Sequence, residues 1–132
     1  MLRAGDVLCL RGDLGTGKTT FTRALVHALG SRAPVSSPTF TLIHEYAGGR
    51  LLVRHADAYR LRGSSDLDDI GLLEYMERGD SVTIIEWPER IEDALPAERL
   101  DITFTPGAGD EERTLLLAPQ GARWQEEALP SC

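Results

Sequence analysis

The sequence predicts an α/β protein, and three observations carry that prediction. Val7-Leu8-Cys9-Leu10 is a short apolar run bounded by Gly5-Asp6 and Gly12, the pattern of a buried strand. The glycine-rich segment Gly12-Asp13-Leu14-Gly15-Thr16-Gly17-Lys18-Thr19 follows it and leads into Phe21, Ala24, Leu25, Ala28 and Leu29 at helical spacing. Val82-Thr83-Ile84-Ile85 is a second buried run of β-formers, ending in Glu86-Trp87-Pro88. Strands separated by helical pattern belong to an open α/β sheet, with ligands at the carboxyl ends of the strands.

The remaining elements can be taken in order. Gly30 closes the first helix as a C-cap would, and Ser31-Arg32-Ala33-Pro34 is a loop. Val35-Ser36-Ser37-Pro38-Thr39 is extended because of Pro38. Phe40 to Tyr46 alternates and is rich in β-formers, Ala47-Gly48-Gly49-Arg50 makes a hairpin turn, and Leu51 to Ala56 returns as the partner strand, delivering Asp57 at its end. Ser64 or Ser65 caps a helical stretch to about Arg78, with Asp66, Asp68 and Asp69 in its first turn; Gly71 weakens its continuity. A short helix around Glu89 to Asp93 stops at Leu95-Pro96. Leu100 to Thr105 and Thr114 to Ala118 form a terminal hairpin around Gly107-Ala108-Gly109-Asp110. The tail from Gln120 to Leu129 reads as a helix with Trp124, Ala128 and Leu129 on its apolar side.

Composition narrows the function classes. At 132 residues the expectation is one domain over 1–132, long enough for a true core. No segment approaches 18 apolar residues, so no membrane span is expected. Met1-Leu2-Arg3-Ala4-Gly5-Asp6 leads straight into the first strand, without a secretory signal pattern. Two cysteines, Cys9 in a buried strand and Cys132 at the last position, make no disulfide framework, which points to a reduced, cytoplasmic setting. A net charge of −7 argues against this chain alone gripping nucleic acid.

The chemistry centres on Lys18, the only lysine beside thirteen arginines. Gly12 to Thr19 is G-x-x-x-x-G-K-T, the phosphate-binding P-loop pattern. The glycines allow a turn with several backbone N–H groups pointing inward, and the following helix presents its positive end to the same phosphates. A compact ammonium fits beside a phosphate tail where a planar guanidinium does not, and the hydroxyl of Thr19 is a candidate Mg²⁺ ligand. The plain alternative is a glycine-rich turn with an exposed lysine. Asparagine is absent from the chain, so an Asn-Lys-x-Asp guanine-reading motif cannot be present, and ATP is the expected nucleotide.

A P-loop alone binds phosphate; hydrolysis also needs a carboxylate at the metal. Glu86 and Asp57 both stand at the end of a β-forming run, and each is otherwise a solvated strand-end acid. Ser36, Ser37, Thr39 and Thr41 crowd the loop after the first helix, either as a γ-phosphate-sensing segment or as an ordinary connection. Trp87 beside Glu86 is core packing or a partner anchor. His27 lies in the first helix, His44 and His55 in strands, and no Cys/His spacing suggests zinc.

Four segments together resemble one family: Gly12 to Thr20; Ser37-Pro38-Thr39-Phe40-Thr41-Leu42 with Glu45-Tyr46; His55-Ala56-Asp57-Ala58-Tyr59-Arg60-Leu61; and Ile85-Glu86-Trp87-Pro88-Glu89-Arg90. In this order they are similar to the TsaE family of bacterial ATPases. The resemblance implies a three-layer P-loop NTPase-type fold with a mixed, mainly parallel sheet. It implies an accessory ATPase of the TsaB–TsaD pair, required for threonylcarbamoylation of tRNA A37, with tRNA engaged only through the complex. Carried over by position, Gly12, Asp13, Leu14, Gly15, Thr16, Gly17, Lys18, Thr19 and Thr20 bind the nucleotide, Thr19 and Glu86 serve Mg²⁺, and Lys18, Asp57 and Glu86 are the catalytic candidates. Ser37 to Thr41 is the switch-like loop. Relatives carry a further strand and helix before Ala4-Gly5-Asp6, and on that comparison a sheet edge and an adenine contact are expected to be missing. The expected activity is Mg²⁺-dependent ATP hydrolysis that depends on partner proteins, with Glu86 at the metal and Asp57 near the attacking water or among the groups around the metal's ligands. A small-molecule kinase with Arg60 and Arg62 in a lid, and a non-catalytic nucleotide-dependent interaction module, are the competing classes.

Overall fold

The computed structural model describes residues 2–12, 17–35, 43–59, 71–106 and 113–121. The apolar run after Asp6 forms strand β1 (Val7–Arg11), whose side chains alternate between the two faces of a sheet: Leu8 and Leu10 enter one apolar core, Val7 and Cys9 another. The helical pattern becomes α1 (Lys18–Ala28), which brings Phe21, Leu25 and Val26 to the first core. The N–H groups of Gly30 and Ser31 return to the carbonyls of His27 and Val26, capping it as the sequence predicts.

Strands β2 (Ile43–Tyr46) and β3 (Leu52–Asp57) form the expected antiparallel hairpin, with Tyr46 opposite Val53 and Ile43 opposite Ala56. Then come α2 (Leu72–Arg78), β4 (Ser81–Glu86), a 3-10 helix (Pro88–Ala94), β5 (Arg99–Pro106) and β6 (Arg113–Gln120). The six strands lie in the order β2-β3-β4-β1-β5-β6. The inner pairs β3–β4, β4–β1 and β1–β5 are parallel, while β2 and the terminal hairpin strand β6 run antiparallel at the edges. A core on each face of the sheet makes the three layers. Val26 and Leu29 close one over Leu8, Ile84 and Ile102; Leu72 and Ile91 close the other over Cys9, Ala56 and Ile85.

Two expectations change. The helix ending at Arg78 does not run through Gly71 but starts at Leu72, because Gly71 takes a left-handed φ of 76° that no helix interior accommodates. β6 continues to Gln120 as the partner of Arg99, so a tail helix does not begin there; ladder pairing with β5 overrides local pattern. The segments 36–42, 60–70, 107–112 and 122–132 lie outside the described residues, and with them the hydroxyl-rich loop, the arginine pair and the rest of the tail.

Burial of charge outside the apolar cores is paid for by pairing. Arg54 on β3 is buried on the α2 face, donates to Glu45, Asp80 and the Ser81 hydroxyl, and stacks 4.1 Å over the Tyr75 ring. It thereby joins β2, β3, β4 and α2. Burial pushes the Cys9 thiol up to about 12, so it is an inert apolar side chain. No helix among the described residues is long and apolar enough to cross a membrane.

The β2–β3 turn docks on the end of α1: Arg50 N–H donates to the Leu29 carbonyl at 2.6 Å and the Ser31 hydroxyl donates to the Ala47 carbonyl at 2.6 Å. A β-carbon on Gly49 would stand 2.7 Å from the Leu29 carbonyl oxygen and 3.0 Å from the Ser31 nitrogen. Both are backbone atoms that cannot step aside. Gly49→Ala is therefore expected to lower stability by about 1–3 kcal/mol, read as a shift of the urea midpoint. An unchanged midpoint would mean that the turn moves off α1 without cost.

Candidate functional site

Parallel pairing decides where the site lies. Leu10 is the register partner of Glu86 across β1–β4, and Asp57 is the register partner of Glu86 across β3–β4. The chain leaving β1 at Gly12, the carboxylate ending β4 and the carboxylate ending β3 thus share one edge of the sheet. α1 begins at the same edge with Lys18, after Gly17. Asp13, Leu14, Gly15 and Thr16 lie outside the described residues; Gly12, Gly17, Lys18, Thr19 and Thr20 fall where the sequence places them.

Lys18 is 5% exposed. Its Nζ donates to the Gly12 carbonyl at 2.7 Å and lies 4.0 Å from the centroid of the Trp87 ring. The carbonyl dipole and the face of the indole together offset the desolvation of the ammonium. Trp87 adopts φ 59° and ψ 48°, left-handed for a bulky side chain, at a cost of roughly 1–2 kcal/mol. The turn aims the ring at Lys18, and Pro88 then opens the 3-10 helix. The indole also meets Tyr59, ring centroids 5.0 Å apart, and the Arg90 guanidinium lies 5.3 Å from the Tyr59 ring. Tyr59 is 49% exposed, so the stack runs from the buried lysine to the surface. Trp87 belongs to the site rather than to either apolar core.

The two acids differ. Glu86 is 4% exposed and is hydrogen-bonded to Nε2 of His55, which is fully buried. His55 Nδ1 lies 3.2 Å from the Tyr46 hydroxyl, and that oxygen lies 3.4 Å from His44 Nδ1. Asp57 is half-buried, and its Oδ1 accepts the Tyr59 N–H at 2.8 Å. Burial raises the Asp57 pKa from its ordinary value, and the negative charge of Glu86 adds to the rise; the Tyr59 hydrogen bond, Lys18 and His55 pull the other way. Two carboxylates side by side at low exposure are a donor set that a hard cation relieves. Among the described residues no three His, Cys, Asp or Glu side chains converge on a metal position. Thr19, half-buried at the first turn of α1, is the hydroxyl on offer.

Arg11 fastens this edge from behind. Its guanidinium contacts Glu92 at 3.2 Å, Asp101 at 3.2 Å and Glu89 at 3.8 Å, linking the residue before Gly12 to the 3-10 helix that follows Trp87. No motif chemistry in the sequence marks the contacts of His55 with Glu86 and Tyr46. The available signal was alternation: residues 44, 46, 53, 55 and 57 fall on one face of the hairpin, the face of Glu86.

Comparison with known proteins agrees with this architecture. The pattern of the family described as "Threonylcarbamoyl adenosine biosynthesis protein TsaE" matches residues 1–115. The tRNA threonylcarbamoyladenosine biosynthesis protein TsaE of Bacillus subtilis is 46% identical over 123 residues, covering 93% of this chain and 75% of the relative. Its counterpart in Streptomyces coelicolor is 40% identical over 130 residues, covering 94% and 86%. The crystal structure of Bacillus subtilis YdiB superposes with a TM-score of 0.75 at 42% identity, over 92% of this chain and 72% of that one.

The raised pKa of Asp57 has a thermodynamic consequence. A carboxyl whose folded pKa exceeds its unfolded value destabilises the fold when ionised: the cost is full above the folded pKa and disappears below the unfolded one, 3.8. Asp57→Asn keeps an acceptor for the Tyr59 N–H and removes the charge. The nucleotide-free variant is expected to melt higher than the wild type at pH 7, with the difference shrinking as pH falls towards 4. Thermal melts across pH check this, and a variant that melts lower at pH 7 would contradict it.

Proposed function

The chain belongs to the TsaE family, and on that premise we propose that it is a Mg²⁺-dependent ATPase serving tRNA threonylcarbamoyladenosine biosynthesis together with the TsaB–TsaD pair. The observation that carries the reading is Lys18. The only lysine of the chain is buried at the carboxyl edge of a parallel sheet, 2.7 Å from the Gly12 carbonyl and 4.0 Å over Trp87, on the edge that also holds Asp57 and Glu86. A buried ammonium at the start of a helix, next to a glycine-rich loop, is suited to a polyphosphate and little else.

In this reading ATP is the substrate and water the nucleophile. The backbone of residues 12–17 and the Lys18 ammonium bind the phosphate tail and neutralise the charge that grows as the γ-phosphorus leaves the β–γ bridging oxygen. Thr19 and Glu86 would hold Mg²⁺, which would supply neutralisation of the phosphate charge. Thr20 supports the nucleotide. Asp57 accepts a hydrogen bond from the attacking water; its raised proton affinity suits that role. With a net charge of −7 the chain is suited to meeting tRNA through its partners rather than directly.

The decisive measurement is phosphate release from ATP with and without purified TsaB–TsaD. Release that rises with the partners supports the reading, ATP consumption only with an added small-molecule acceptor indicates a kinase, and binding without turnover indicates an interaction module. Lys18→Ala should lower turnover by about 10²–10³-fold with an unchanged circular dichroism spectrum; normal hydrolysis in this variant would remove the P-loop assignment. Glu86→Gln should depress turnover steeply at saturating Mg²⁺ while metal-free nucleotide still binds. Equal Mg²⁺ dependence in variant and wild type would shift the metal role to Asp57.

A further inference from the structure

We infer that His55 is a positioning residue for Glu86, locked by Tyr46, and that this buried hydrogen-bond chain fixes how the carboxylate faces Mg²⁺; the inference rests on the metal reading above. His55 has no exposed surface and both of its ring nitrogens are engaged, Nε2 with Glu86 Oε2 and Nδ1 with the Tyr46 hydroxyl at 3.2 Å. The imidazole cannot rotate without breaking both contacts. Tyr46 is buried in its turn, with His44 Nδ1 3.4 Å from its oxygen and the two rings edge to face at 87°.

The chain crosses three adjacent strands on one face of the sheet, from β2 through β3 to β4. With Glu86 ionised and both imidazoles neutral, the protons allow one direction. His55 Nε2–H donates to the carboxylate, leaving Nδ1 to accept the Tyr46 O–H, and the Tyr46 oxygen then accepts from His44 Nδ1–H. One carboxylate oxygen is thereby committed to His55, and Oε1 is the atom left to face the metal. Asp57, the register neighbour of Glu86, repels the same carboxylate. Without the imidazole, repulsion and rotation about the last side-chain bond would turn Glu86 away from the metal position. Partners that orient a metal-binding group in this way are worth about 10–100-fold in metal affinity.

The test measures ADP binding to the full chain by calorimetry, in EDTA and across a Mg²⁺ titration. His55→Ala is expected to raise the half-saturating Mg²⁺ concentration about tenfold, with Tyr46→Phe raising it about threefold. Metal-free ADP affinity should stay within about twofold of wild type, since in this reading both residues act on the nucleotide through the metal. His55→Gln, which keeps an N–H donor, should recover most of the loss. Val53→Ala, on the same strand and face in the apolar core, serves as the control for destabilisation alone. An unaltered Mg²⁺ response in His55→Ala, or an equal change in Val53→Ala, overturns the positioning role and leaves the metal reading standing. A wild-type protein whose ADP affinity ignores Mg²⁺ overturns both.

Discussion

Parallel pairing of β3, β4 and β1 in one register is the constraint on which the rest of the site depends. Asp57 lies beside Glu86 and Glu86 beside Leu10, so two carboxylates and the start of a glycine-rich loop end at the same height. Antiparallel neighbours would have sent these ends to opposite edges. A parallel pair also requires a crossover, which α2 supplies between β3 and β4, and α1 begins at the edge that β1 has just left. The candidate residues Lys18, Asp57 and Glu86 therefore gather at the carboxyl ends of three strands.

That gathering has an electrostatic cost, spread over several side chains. Lys18 is buried against a carbonyl and an indole, Trp87 holds a left-handed backbone to present that indole, and Asp57 is pushed towards its neutral form by burial and by Glu86. Each is unfavourable for folding alone, and all three lie at the candidate site. Local strain and displaced pKa values concentrated in one place are the physical mark of a preorganised site.

The face of the sheet away from Glu86 carries charge in a different manner. Arg54 on the α2 face and Arg11 under the loop each hold two or three carboxylates, so their charges are balanced within the fold. Arg54 staples the β2–β3 hairpin to β4, and the hairpin in turn carries His44, Tyr46 and His55 on its other face. Support for Glu86 is thus built from an edge hairpin whose own position depends on a guanidinium on the far side of the sheet.

Much of this was legible in the sequence because it is local. The apolar runs at Val7 and Val82, the glycine loop with its lysine, the helix closed at Gly30 and both hairpins follow from side-chain period and turn chemistry within a few residues. The break at Gly71 and the extension of β6 to Gln120 were not, since one depends on a backbone angle and the other on a partner strand. The site divides in the same way. Lys18, Thr19, Asp57 and Glu86 could be named from motif and strand-end position, whereas Trp87 over Lys18 and the His55–Tyr46 support of Glu86 could not. Those contacts join residues far apart in the chain or in different strands, and their existence depends on register and on which face of the sheet each side chain takes. The sequence by itself determined which groups are available for chemistry; only the tertiary structure decided which of them touch, because contact across a sheet is set by pairing between strands and not by the order of residues along one.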